Sequence, residues 1–216
     1  MSGLPEGFRD GALRVLNRLG ENRYAGWLMW LFPYRNLHIS RDKWENQYCR
    51  GQWTYLNDIK ELSRYSIISG YCNHIHPVGR ILDVGCGEGI LLEHLCSERA
   101  EHYTGIDIST EAIRAARERQ SGKARFIVAD TMKFELEENF DIIVFNECLY
   151  YYEDPRKVLN KYAGMLGPGG IIVVSLYTSP RTRRIWKMLK SDFIAEDETR
   201  IANNSGNAWT IKVFLA

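Results

Sequence analysis

The sequence predicts an α/β fold: a seven-stranded, mostly parallel sheet with an antiparallel last strand, helices on both faces, and a helical segment ahead of it. Three observations carry this expectation. From Arg80 onward, short β-branched runs alternate with charged stretches of helical spacing, the pattern of βαβ units. The first run, "ILDV", opens directly into the glycine-rich turn "GCGEG". The last two runs, "DFIAEDETRIAN" and "AWTIKVFLA", flank the turn "NSGN" and read as a closing hairpin.

Residues 1–76 hold Trp27, Trp30, Trp44 and Trp53 and read as a helical N-terminal cap, with residues 77–216 as the α/β domain. Within the cap, "AGWLMWLF" from Ala25 to Phe32 is too short to span a bilayer, and core packing is its plainest use. Leu56, Ile59 and Leu62 form a helical stripe expected to face the protein interior. Strands are expected at 79–84, 102–107, 124–129, 140–146 and 169–177, with helices at 88–98, 109–120, 154–166 and 180–190. Ser109 is placed to cap the second of these helices, with Glu111 in its first turn.

Lysine and arginine number 28 against 27 aspartates and glutamates, so no overall field draws the protein to nucleic acid or to an anionic membrane. The exception is local: "SPRTRRIWKMLK" clusters Arg181, Arg183, Arg184, Lys187 and Lys190, a run that ordinarily forms a solvated helix face. Cys49, Cys72, Cys86, Cys96 and Cys148 are odd in number and lack CxxC spacing, and the start "MSGLPEGFRD" has no apolar core of a signal peptide. Both point to a reducing cytoplasm. His74 and His76 have no carboxylate partner in sequence, and no ligand spacing suggests a metal.

The glycine turn sits at the carboxyl end of the first strand, where open α/β sheets bind ligands. Gly85, Gly87 and Gly89 let a ligand approach the backbone. Their spacing differs from G-x-G-x-x-G, and Asp83 just before them would repel a pyrophosphate; a cationic ligand fits better. Asp107, ending the second strand, can accept two ribose hydroxyls, and Asp130 after the third can accept from an adenine amino group, with the amide of Thr131 or Met132 donating to a ring nitrogen. Taken singly, each aspartate could instead be a cap or an Asx turn.

These segments, with "FDIIVFNECLYYYEDP" and "LGPGGIIVVSLY", resemble the class I, Rossmann-like methyltransferases that use S-adenosylmethionine, over residues 79 to 215. The resemblance implies cofactor contacts from Asp83, Gly85, Cys86, Gly87, Asp107, Ile108, Asp130, Thr131, Met132 and Asn146. From the cap, Tyr48, Trp53 or Arg64 could reach the cofactor's carboxylate or cover its sulfur, unless packing alone dictates where Arg64 lies. Glu147 would face the methyl group as a base or as an amine holder, or else act as a structural acceptor for backbone amides; Tyr150 and Tyr151 would rim the acceptor pocket. The implied partner is a small-molecule acceptor with an oxygen or nitrogen nucleophile, and "FNECLYYYEDP" is similar to the nodulation protein S group, which methylates an amino sugar nitrogen. Three rivals stay open: an RNA or protein acceptor, a cofactor-binding scaffold without turnover, and a nicotinamide oxidoreductase.

Overall fold

The computed structural model describes residues 40–119 and 123–215; Trp27, Trp30 and the "AGWLMWLF" stretch lie outside them. Two helices precede the sheet, α1 (Arg41–Cys49) and α2 (Ile59–Ile75), joined through a short 3-10 turn, Thr54–Asn57. Then follow β1 (Ile81–Val84), α3 (Ile90–Glu93), β2 (Tyr103–Asp107), α4 (Thr110–Arg119), β3 (Arg125–Val128), β4 (Phe140–Asn146), α5 (Pro155–Ala163), β5 (Leu166–Tyr177), α6 (Pro180–Leu189), β6 (Ala195–Ala202) and β7 (Ala208–Leu215). The seven strands form one sheet in the order β3-β2-β1-β4-β5-β7-β6. Strands β1 to β5 pair in parallel, and β7 runs antiparallel to both of its neighbours.

Alternation along the strands splits the core in two. Ile81, Ile142, Val144, Ile171 and Val173 face α2, α3 and α4, whereas Leu82, Val84, Ile143, Phe145, Ile172 and Val174 face α5 and α6. The side chain two residues beyond a core position keeps the same face. Asp83, Asn146 and Ser175 therefore all point to the α2 side at the carboxyl edge of the sheet, and this places the site.

Two expectations are corrected. The helix expected at 88–98 is only α3, followed by a 3-10 turn at Ser97–His102. The chain turns at His94 because that residue is held by α2: its carbonyl accepts from the Ser69 hydroxyl at 2.5 Å and its ring stacks on Tyr65. The stripe Leu56, Ile59, Leu62 does not face inward as a unit either, since Ile59 is 81% and Leu62 41% exposed. Helix α2 buries Glu61, Arg64, Tyr65, Ile68 and Cys72 instead, because the sheet edge it covers is polar.

Asp154 and Ser179 cap α5 and α6, each followed by proline at the first helical position. Strand β6 is an outer edge, with Glu196, Asp197 and Glu198 exposed along it. Arg99, fully buried, donates to the Gly79 carbonyl at 2.8 Å and to the carbonyls of Cys72 and His76, closing the last turn of α2. Replacing it leaves buried acceptors without a donor. Arg99→Leu should lower unfolding free energy by at least ~1.5–3 kcal/mol, read as a lower urea midpoint; an unchanged midpoint would reject this role.

Candidate active site

Gly85, Gly87 and Gly89 all adopt positive φ, at 72°, 55° and 75°. At Gly87 the close approach is on the outer side: a Cβ there would lie 2.9 Å from the Tyr48 hydroxyl. At Gly85 it is on the inner side, where a Cβ would meet that of Cys148, also at 2.9 Å. The half-buried Cys86 between them turns its amide to the Ile106 carbonyl at 3.0 Å, and burial holds its thiol well above the usual value.

Asp107 fixes this turn. One carboxylate oxygen accepts from the Gly87 amide at 3.0 Å and the other from the Ser109 amide at 2.9 Å. Burial pushes its pKa up to about 6, against the downward pull of the Ser109, Gly87 and Ile108 amides. Asp83 lies on the α2 side of the same crevice. Its Oδ2 accepts from the Tyr103 hydroxyl at 2.5 Å, while its buried Oδ1 has no partner among the described residues. Burial pushes Asp83 to about 7, with Asp107 adding to the rise. Asp130 does not join this pair but folds onto its own loop, accepting from the Met132 amide at 2.9 Å and lying 3.8 Å from Lys133. The Met132 amide is thereby used within the Asx turn, which leaves Thr131 the donor of the two. Thr131 is buried and its carbonyl accepts from the Tyr162 hydroxyl at 2.9 Å.

Where α2 crosses the end of β4, buried Arg64 donates to the Asn146 side chain and to Glu61 at 3.0 Å, and its guanidinium lies 4.4 Å from the Tyr65 ring centroid. Its Nε has no hydrogen-bond partner among the described residues. Glu147 is the only non-glycine with positive φ among the described residues, at 59°. Its carboxylate accepts from the Ser175 hydroxyl at 3.2 Å and the Tyr177 amide at 3.0 Å, tying the ends of β4 and β5 together. Burial raises it to about 7, against the pull of Arg64. The Tyr150 hydroxyl points toward it at 3.4 Å. Tyr151 packs on Tyr150 and meets Trp44 edge-on at 4.8 Å, and Trp53 bridges Trp44, Tyr48 and Tyr55 at 5.6–6.0 Å. Tyr150, Tyr151 and Tyr152 all pack, half-buried, against the core cluster on the α5 side.

Sequence reasoning missed three contributors. Glu45, in α1, accepts from the Ser109 hydroxyl and Thr110 amide at 2.7 Å each and from the Glu111 amide at 3.0 Å. Partial burial works upward on its pKa, but these donors outweigh it and hold the carboxyl at about 2. Trp44 and Glu61 are the others. Only the Glu61–Arg64 spacing of three, on one helix face, carried a local signal; the contacts of Glu45 and Trp44 join residues far apart in the chain.

A strand ending in a buried acid, a three-glycine turn and a second buried acid at the next strand end, all in the sheet order above, match one family in particular: the family described as "Methyltransferase domain" matches residues 75–209. The chain belongs to the class I S-adenosylmethionine-dependent methyltransferases. Curated relatives include an uncharacterized methyltransferase of Mycobacterium tuberculosis (35% identical, 52% of this chain and 59% of that protein). A ubiquinone biosynthesis O-methyltransferase of Photorhabdus laumondii (34%, 50% and 46%) and nodulation protein S of Rhizobium tropici (37%, 45% and 42%) are similar over the same region. The chain thus spans about half the length of the curated relatives it matches. In fold it is similar to the N-methyltransferase NodS of Bradyrhizobium japonicum, solved with S-adenosyl-L-homocysteine (TM-score 0.63, 23% identity, 76% of this chain and 90% of that one). Among the described residues of this methyltransferase, no helix is long and apolar enough to cross a membrane.

The residues fit the family's cofactor. Asp83 offers a buried acceptor oxygen without a partner, and the turn beside it has no room for side chains. A buried carboxylate that is raised in the folded chain and ordinary when unfolded makes stability fall as pH rises between the two values, here from about 4 to about 7. Asp83→Asn removes that loss. Thermal unfolding should show the variant more stable than the parent at about pH 8 and equal to it at about pH 4; a gain independent of pH would count against Asp83 as its source.

Proposed function

We propose that this chain transfers a methyl group from S-adenosylmethionine to an oxygen or nitrogen of a small molecule, with residues 77–216 forming the cofactor-binding domain and the helices α1 and α2 a cap over it. One observation carries the reading: two buried carboxylates, Asp83 and Asp107, flank a glycine turn, and one of them keeps an unpartnered oxygen inside the protein. Such groups are costly to bury and are retained where a ligand completes them.

In this reading Asp107 accepts the ribose hydroxyls, and Asp130 and the Thr131 amide meet the adenine. The turn of Gly85, Cys86 and Gly87 passes under the cofactor, with Ile108 beside the adenosine. Arg64 and Asn146, already hydrogen-bonded to each other, hold the amino acid end; Tyr48 and Trp53 close over it. The bound cofactor supplies an electrophilic methyl group on a sulfonium. The chain's own task is to aim a lone pair at it, exclude water and take up a proton. Trp44, Tyr55, Tyr150 and Tyr151 form an aromatic wall that excludes water. Glu147 is suited to the proton: at about 7, its carboxyl can exchange one near neutrality. Its bonds to Ser175 and Tyr177 also give it a structural part, and its left-handed backbone is strain of the kind that collects at working sites.

Aromatic faces beside the acids Glu61 and Glu147 suit an acceptor carrying an amine, and the similarity to nodulation protein S makes an amino sugar or glycan precursor a reasonable first library. An RNA acceptor is the second reading, favoured by the exposed Arg183 and Lys187 on α6 and Lys190 at its C-cap. It requires binding that weakens steeply with salt.

Turnover of labelled S-adenosylmethionine across amine and hydroxyl acceptors tests the proposal; tight cofactor binding with no transfer to any of them would favour a scaffold. Asp107→Ala should weaken S-adenosylhomocysteine binding by ~1.5–3 kcal/mol for each charge-assisted bond lost, and unchanged affinity in calorimetry would reject its role. Glu147→Gln should slow transfer while leaving cofactor affinity nearly intact; an equal loss of both would assign Glu147 to structure alone.

A further inference from the structure

Helix α1 touches both halves of the site from one side. Glu45 is seated on the first turn of α4 by three donors, the Ser109 hydroxyl and the Thr110 and Glu111 amides. Arg41, one turn earlier, donates to the Thr110 hydroxyl at 2.7 Å. One turn later, the Tyr48 hydroxyl stands over Gly87. Trp44, beside Glu45, meets Tyr151 on the acceptor side. The seat itself belongs to the cofactor loop, because the Ser109 whose hydroxyl grips Glu45 also gives its amide to Asp107.

We propose that Glu45 is a positioning residue that latches α1 as a lid across the cofactor site, so that cofactor enters and leaves only when this latch lets go. The proposal rests on the methyltransferase reading. No residue of helix α1 is fully buried, and its apolar hold on the domain comes from the half-buried Trp44 and Tyr48. Its seating is therefore carried largely by the polar bonds of Glu45 and Arg41 and by the ring contacts of Trp44 and Tyr48. Polar bonds of this kind can open without unfolding the sheet. When α1 lifts, Tyr48 leaves Gly87 and Trp44 leaves Tyr151 together, so cofactor cover and acceptor wall are assembled in one movement.

A gate and a mere contact differ in kinetics. Loss of a contact speeds dissociation alone; loss of a latch speeds entry as well as exit. The test uses the full chain, with S-adenosylhomocysteine binding followed by stopped-flow tryptophan fluorescence. Glu45→Ala should raise both the association and the dissociation rate by about tenfold or more, as the loss of one or two charge-assisted bonds implies. The emission of the saturated variant should also shift to longer wavelength as Trp44 spends time away from Tyr151. Glu45→Gln, which keeps one acceptor oxygen, should fall between.

Arg41→Ala changes an exposed side chain and guards against a folding defect in the first variant. It should shift both rates in the same direction by less, and the double variant should fall short of the product of the two effects. Faster dissociation with unchanged association, or unchanged rates throughout, would overturn the latch. If the parent protein binds no S-adenosylhomocysteine, the methyltransferase reading fails instead, and the two failures are told apart before any variant is made.

Discussion

The Asp107 carboxylate is the joint on which the site turns. It takes the Gly87 amide from one loop and the Ser109 amide from another, and so fixes the distance between the carboxyl ends of β1 and β2. A carboxylate this deeply buried is stabilised by the amides it accepts from and penalised by its burial, and the balance leaves it above its ordinary value. The same two amides set the conformation of the glycine turn and the starting point of α4. The position of Glu45, and with it that of α1, follows from that starting point.

The burial of α2 follows from the sheet edge rather than from its own hydrophobic pattern. Where β1, β4 and β5 end, their inward residues are Asp83, Asn146 and Ser175, and the helix laid over them meets this polar row with Glu61 and Arg64. Ile59 and Leu62 are left outward. Toward its C-terminal half the same helix returns to ordinary packing with Ile68 and Cys72 against the strands, and Arg99 closes its end. One helix thus serves the site with its first turns and the core with its last.

Most of the architecture was legible in the chain because strands buried on both faces must be written as unbroken β-branched runs, as "FDIIVFN" and "IIVVSLY" are. The bounds of β1 to β4 fall within two residues of expectation. The hairpin was legible through its turn, where Asn203 accepts from the Ser205 and Asn207 amides and Gly206 takes φ 82°. What escaped were features set by distant partners: the early end of α3, the reversed face of α2, and the seat of Glu45 on residues more than sixty positions away. In the site, Asp107 and the glycines stood out because backbone geometry demands them, and Asp83 because an acid interrupts an otherwise apolar strand. The two readings of Glu147 could not be separated from sequence, since a carboxylate that ties two strands and one that exchanges a proton are written with the same letter.

The outermost strand has a bearing on how copies of this protein meet one another. Among the described residues, no strand pairs with the outer side of β6, the feature through which sheets join into larger aggregates. Glu196, Asp197 and Glu198 follow one another there on alternating faces, Asp197 held by the Tyr71 hydroxyl at 2.6 Å and Glu198 by Lys212 at 2.7 Å. A second molecule docking its own β6 alongside would bring the acidic residues of both copies together, and their repulsion opposes growth of the sheet through this border.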